Sequence, residues 1–258
     1  MKTIELKKVE HSVKIGDVCG DIEPNITEDS LFVDNGEVIG FYLKEIPKSL
    51  SKFIEVANAE FQSEKVPKST MNRTSGEQGH TERVQQFSTI LGGVPPRPHM
   101  KRPYPSISSV HQVKSAQTFI KAMLLAARES EKIIQELAPN IYNRQKQIIT
   151  EKVPPKFRFG ELFTSSISNF NIAASYHRDA ANLEGCVNVI IAKKHNARGG
   201  NTTVPDYGAT VDSRDNSMLV YPAWRNVHGV TPIRAIAEGG YRNSLVFYPL
   251  KAFNNHWD

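Results

Sequence analysis

Apolar residues recur at helical spacing in the first half of the chain and at strand spacing in the second. Asn35-Gly36 separates Ser30–Asp34 from Val38–Leu43, two strand-like runs, and this dipeptide supplies the positive φ angles a tight hairpin needs. Past Pro47, the apolar positions from Leu50 to Ala57 fall at three- and four-residue steps, which predicts an amphipathic helix. The clearest helix is expected over residues 115–138, where Phe119, Met123, Ala126, Ala127, Ile133, Ile134 and Leu137 form one stripe. Ser115 is its expected N-cap. Pro139 ends it, and a shorter helix is expected from Asn140 to Thr150.

From Phe157 onward the period becomes two. Strands are expected at Phe163–Ile172, Val187–Lys193, Met218–Pro222 and Ser244–Pro249, with a turn at residues 196–201. Many short strands with turns between them predict a sandwich or barrel. Residues 61–110 follow neither period. Lys65–Thr70 and Asn72–Gly76 are polar and turn-rich, and Gly92–Pro105 concentrates proline with basic side chains. Proline stiffens such a segment and removes backbone donors. It reads either as a strap around the barrel or as an arm for phosphates, in which Arg97, Lys101 and Arg102 grip the backbone and Tyr104 or His99 stacks on a base. Gly92-Gly93 is a possible hinge.

Composition narrows the class. With 258 residues, 39% hydrophobic and 23% charged, the chain can bury a core as one domain or two small ones. No apolar run approaches the ~20 residues that span a bilayer, and Met1–Lys8 lacks the apolar stretch of a signal peptide. Cys19 and Cys186 offer neither a disulfide framework nor a thiolate metal cluster. A cytoplasmic monomer with no membrane contact is the expectation. The net charge of +5 is uneven: residues 1–60 carry −5, residues 61–160 carry +9 and residues 161–258 carry +1. Basic charge in the middle of the chain attracts a phosphate backbone, unless it is simply a solvated face.

The chemistry lies between Ser168 and Pro249. His177 and Asp179 are two apart, so in an extended segment they share a face and can reach one ion. His228 follows much later in a turn-like Asn-Val-His-Gly setting. Two imidazoles and one carboxylate leave the other positions of an ion open, which suits non-haem Fe(II) oxygenases. Arg242, Ser244, Val246 and Tyr248 alternate onto one face of the last strand. An inward arginine is costly unless it meets an anion, and a dicarboxylate cosubstrate supplies one for a bidentate fork.

These residues resemble the 2-oxoglutarate- and Fe(II)-dependent dioxygenases, and within them the TET/JBP branch, which oxidises the methyl group of 5-methylpyrimidines in DNA. His177-Arg178-Asp179-Ala180-Ala181-Asn182 is similar to that branch's His-Arg-Asp-x-x-Asn. Val204–Gly208, Arg214-Asp215 and His228–Pro232 resemble the JBP-type core, and Arg242-x-Ser244-x-x-x-Tyr248 the TET closing strand. The resemblance covers about residues 157–250. The cysteine-rich segment of animal TET enzymes is absent, and the compact chain is like the methylpyrimidine dioxygenases of bacterial viruses, which would place it in a host cytoplasm.

The resemblance implies an α+β fold with a double-stranded β-helix (jelly-roll, cupin-like) core, flanking helices and an N-terminal α/β extension. One catalytic domain is expected over residues 1–258: an extension at 1–110 with a basic DNA-facing strap at 61–110, supporting helices at 111–156, and the core at 157–258. Fe(II) is expected on His177, Asp179 and His228. The far carboxylate of 2-oxoglutarate is expected on Arg242 with Ser244, and O2 is the second cosubstrate. Arg158 is a candidate second cosubstrate arginine, and Arg234 a rival to Arg242. Asn182 and Tyr248 match positions that contact a flipped base. The implied reaction couples decarboxylation of 2-oxoglutarate to succinate with hydroxylation of the methyl group in DNA, methylcytosine ahead of thymine. The alternatives are the same chemistry on a protein side chain or free nucleotide, and a catalytically silent jelly-roll binding module.

Overall fold

The computed structural model describes residues 1–70 and 85–254, so the polar run Asn72–Gly76 lies outside the described residues. In chain order the strands are β1 (Lys2–Glu5), β2 (Ser30–Asp34), β3 (Glu37–Leu43), β4 (Ser69–Thr70), β5 (Phe87–Val94), β6 (Ser106–Ile107), β7 (Ser165–Phe170), β8 (Ala174–His177), β9 (Asn188–His195), β10 (Ala197–Gly199), β11 (Thr202–Val204), β12 (Ala209–Val211), β13 (Met218–Tyr221), β14 (His228–Val230), β15 (Ile233–Ala235) and β16 (Tyr241–Tyr248). The helices are α1 (Lys48–Gln62), α2 (Gln117–Leu137) and α3 (Pro139–Lys152). Pro139 both closes the α2 stripe and opens α3, where its missing N–H costs nothing.

Two sheets face each other. The major sheet runs β1-β2-β3-β13-β9-β16-β7-β5-β4, with β6 on β5, and the minor sheet runs β12-β11-β14-β8. Period-two alternation decides what each face of the major sheet touches. Val189, Ile191, Leu245 and Phe247 join the apolar faces of α1 and α2 in one core with Leu50, Ile54, Phe61, Phe119, Met123 and Ile134. The intervening residues of β9 and β16 turn the other way, into a cavity of about 520 Å³ between the sheets. The architecture is the double-stranded β-helix of an α+β protein, with α1 and α2 packed on the outer face of its major sheet.

Three local expectations change. The α2 N-cap is Ala116 without a side-chain bond; the Ser115 hydroxyl instead donates to the Lys65 carbonyl at 2.7 Å, tying the helix start to the segment that follows α1. Residues 61–110 are not one strap, because β5 is a buried strand paired with β7 from Phe87↔Phe170 to Gly92↔Ser165. Its β-rich core, Phe87 to Leu91, was masked by the proline-rich run after it. Gly92-Gly93 is not a hinge: a Cβ at Gly93 would lie 2.3 Å from the Phe253 ring, and one at Gly92 2.5 Å from the Thr164 carbonyl. Glycine here permits close packing. The basic remainder is a tight hairpin around Pro98–Met100, in which Arg97 N–H donates to the Arg102 carbonyl at 2.6 Å and Arg102 N–H returns the bond at 3.1 Å. Lys101 takes the left-handed position at φ 57°.

Candidate metal centre and its cavity

His177 is the last residue of β8, and the antiparallel register sets it directly opposite His228 on β14. The two rings lie 4.3 Å apart, centroid to centroid. Asp179 continues the chain past β8, held by its N–H to the Ala223 carbonyl at 3.1 Å. Its Oδ1 is 3.5 Å from His177 Nε2 and 4.0 Å from His228 Nε2, and the three donor atoms all lie within 4.8 Å of one another.

The surroundings fix which atoms point inward. His177 Nδ1 is 2.8 Å from the Ser175 carbonyl and His228 Nδ1 is 3.1 Å from the Asn226 carbonyl. A carbonyl only accepts, so both Nδ1 atoms carry hydrogen and both Nε2 lone pairs face Asp179. Asp179 Oδ2 accepts from Asn188 Nδ2 at 2.9 Å, leaving Oδ1 toward the imidazoles. Burial favours the neutral acid, but the His177 bond, the two imidazoles and the Asn188 amide outweigh it and hold the carboxyl below its usual range. Burial, then the neighbouring His177, pushes His228 down to about 4, so it is neutral and competent as a ligand. This donor set fits Fe(II): hard carboxylate, borderline imidazoles, and no fourth protein donor among the described residues.

Arg242 stands in the same cavity wall, fully buried. Its Nε donates to Ser213 Oγ at 2.8 Å, and no carboxylate among the described residues pairs with it. Burial alone brings it down to about 10, so it keeps its charge at neutral pH. Ser244 lines the cavity on the same strand face, its Oγ accepting from Asn169 Nδ2 at 3.4 Å. An uncompensated guanidinium opening onto a metal-binding triad is a receptor for a carboxylate that also reaches the ion.

The comparisons with known proteins agree with this geometry. The Tet_JBP family model, the oxygenase domain of the 2OGFeDO superfamily, matches residues 97–251. The chain belongs to the Tet_JBP family. This oxygenase is accordingly a 2-oxoglutarate- and Fe(II)-dependent dioxygenase that consumes O2. Its fold is similar to that of NgTET1, solved in complex with 5mC DNA, with a TM-score of 0.58 and 14% identity over 93% of this chain and 84% of that one. It is also similar to a 2OG-Fe(II) oxygenase family protein from Burkholderia pseudomallei, with a TM-score of 0.50 and 13% identity over 83% and 86% of the two chains. No curated protein matches the sequence.

The structure brings His177, Asp179, His228, Arg242, Ser244, Asn182 and Tyr248 to this Tet_JBP cavity. It does not bring Arg158, whose guanidinium caps α3 by donating to the carbonyls of Val153 at 2.9 Å and Thr150 at 3.2 Å. Arg158 lines a different groove, beside Glu131 and Gly160, so it is not a cosubstrate arginine. Arg234 is no rival to Arg242 either, since it pairs with Asp21 at 2.7 Å. Asn182 is buried, and its NH2 is committed to Asn188 Oδ1 at 2.8 Å and, more loosely, to Asp179 Oδ2 at 3.5 Å. Arg97, Lys101, Arg102 and Tyr104 belong to the 97–102 hairpin and the segment after it, outside the cavity wall. Burial, then the Asp179 charge, pushes the Tyr248 hydroxyl well up, and the Arg97 charge opposes that shift. Sequence reasoning missed Asn188 and Ser213. Asn188 opens a strand that reads as apolar, and only the register shows that its amide turns inward.

Proposed function

We propose that this dioxygenase oxidises the 5-methyl group of a pyrimidine in DNA, 5-methylcytosine ahead of thymine, on a nucleotide extruded from the helix. The observation that carries the reading is the cavity itself, in which Asn182 and Tyr248 line the same space as the His177, Asp179 and His228 triad and Arg242. The basic hairpin from Arg97 to Arg102 is the element that would grip the flanking phosphates. The basic segment at residues 61–160 and the likeness to a protein solved with 5mC DNA support it.

Each residue has a stated task. His177, Asp179 and His228 hold Fe(II), which, when bound, supplies the oxidation of the methyl group at the expense of 2-oxoglutarate and O2. Asn188 keeps one Asp179 oxygen occupied so that the other faces the metal. Arg242, with the Ser244 hydroxyl, binds the far carboxylate of 2-oxoglutarate. A methyl group in the major groove cannot approach a buried ion, so the target base leaves the stack at a cost of ~a few kcal/mol. Tyr248 packs against that base. Asn182 offers its amide oxygen, since its NH2 is already engaged, and an acceptor suits the exocyclic amine of cytosine better than the carbonyl of thymine. Arg97, Lys101 and Arg102 hold flanking phosphates and Tyr104, largely exposed, stacks beside them.

The test is mass spectrometry of nucleosides after incubation with methylated duplex, Fe(II) and 2-oxoglutarate, with succinate measured in parallel. Hydroxymethylcytosine stoichiometric with succinate, absent from Asp179→Ala, supports the reading. Succinate formed only with a peptide or a free nucleotide would replace it.

A further inference from the structure

Lys194 lies directly across from Arg242 in the β9–β16 register. Period two puts Asn188, Ile190, Ala192 and Lys194 on one face of β9, and Asn188 and Ile190 line the metal cavity. Lys194 therefore projects from the interior face, beside Arg242. Its neighbour Lys193 turns the other way and is neutralised by Glu55 at 2.7 Å and Asp215 at 3.0 Å. Lys194 has no such partner. Its Nζ donates to the Gly199 carbonyl at 2.8 Å, while Asp215 is spent on Lys193 and on the Lys194 backbone N–H.

Two cations thus stand side by side, Arg242 buried and Lys194 half-buried at the edge of the cavity face, and neither bonds a carboxylate among the described residues. The charged groups that face Lys194 are Arg242 from β16, which opposes its proton, and Asp212 and Asp215 from the segment after β12, which favour it. Burial and then Arg242 prevail, and Lys194 is held down to about 8. Such an arrangement is costly in the fold alone, because like charges repel and Arg242 has lost its water while Lys194 has lost part of it. It is relieved by an anion.

We propose that Lys194 is a second cationic determinant of cosubstrate binding, acting beside Arg242 on the far carboxylate of 2-oxoglutarate. The proposal rests on the reading of Arg242 above. It has a consequence that Arg242 alone lacks. A carboxylate brought close strengthens Lys194's hold on its proton, so binding takes up a proton. Cosubstrate affinity then falls as pH rises through about 8.

The experiment is calorimetric titration of 2-oxoglutarate into the Mn(II)-loaded full chain, from about pH 7 to about pH 9, with no turnover required. Wild-type protein is expected to lose about tenfold in affinity over this range, the scale of one charge–charge contact in a partly screened site. Lys194→Met is expected to bind about tenfold more weakly at the lower pH and to show no further loss. Lys194→Arg restores the affinity and flattens the profile. Binding of 2-oxobutyrate, which keeps the keto acid but lacks the far carboxylate, is expected to be equal in wild type and Lys194→Met. A flat wild-type profile, or a Lys194→Met defect as large for 2-oxobutyrate as for 2-oxoglutarate, overturns the proposal. Arg242→Met separates the two claims. If it binds 2-oxoglutarate as wild type does, the reading of Arg242 fails, and the Lys194 profile still decides the role of Lys194.

Discussion

Replacing Arg242 by Met should make the protein more stable and, at the same time, unable to hold its cosubstrate. The guanidinium is fully buried, and burial holds it down to about 10, well below its usual range, which corresponds to roughly 3 kcal/mol of disfavoured charge. Methionine keeps much of the volume and abolishes that cost. It also forfeits the Arg242–Ser213 bond, a loss of about 1 kcal/mol. The net gain is about 2 kcal/mol, or an increase in Tm of roughly 5 °C for a chain of this size. Against this, a bidentate carboxylate contact is worth about 3 kcal/mol or more, so 2-oxoglutarate affinity should fall by at least about a hundredfold. Thermal unfolding of the Mn(II)-loaded protein, with and without 2-oxoglutarate, reads both effects. Wild type should gain stability on addition of the diacid, and Arg242→Met should start higher and gain almost nothing. A variant that melts below wild type and keeps the full ligand-induced shift would refute the idea that this charge is stored for an anion.

Other expectations concern single contacts. Asn188→Ala removes the bond that orients Asp179 and should weaken Mn(II) or Fe(II) binding by about 10- to 100-fold, measured directly by metal titration; unchanged affinity would mean that the carboxylate needs no such support. Glu131 is pushed up to about 7 by burial, although it accepts the N–H groups of Glu161 and Leu162. Its folded value lies above its ordinary 4.5, so its stabilising share is complete below about 4.5 and is lost as pH rises to about 7. Glu131→Gln keeps the carbonyl acceptor and should be the more stable protein by about 3 kcal/mol above neutral pH, with the difference shrinking to under about 1 kcal/mol near pH 5 in urea denaturation; parallel curves at both pH values would contradict this. Neutralising both Lys101 and Arg102 should lower the slope of log affinity for DNA against log salt by about 2, and an unaltered slope would turn the hairpin away from the phosphates.

What could be read from the sequence was what depends on period. Alternation put Arg242, Ser244 and Tyr248 on one face before any partner was known, and the structure turns that face into the cavity. The His-x-Asp spacing fixed a shared face in the same way. The stripes on α1 and α2 were equally plain, because a helix repeats its own address every turn. Placement across strands was not legible. Nothing in Asn188 or Lys194 announces that the sheet register sets them beside Tyr221 and Arg242, since neighbours in a sheet are chosen by topology. Arg158 failed for the opposite reason: its position before the first ligand suggested a role, but a three-residue turn at Pro155–Phe157 directs it back onto the end of α3. Asn182 matches a base-contacting position in sequence, but the sequence did not show that its NH2 is spent on Asn188 and Asp179, which leaves only its amide oxygen for a ligand.

The strand that bears His177 is the outermost of the minor sheet, and it is laddered to β14 at only two register positions with an irregularity between them. A margin so lightly stitched tends to fray, and frayed margins recruit strands from other molecules. An ion gripped by His177 and His228 fastens that margin like a clasp, because the two ligands sit across from each other on adjoining strands. Iron retention and resistance to aggregation are therefore the same property of this fold, and preparations stripped by chelators would be the ones that precipitate.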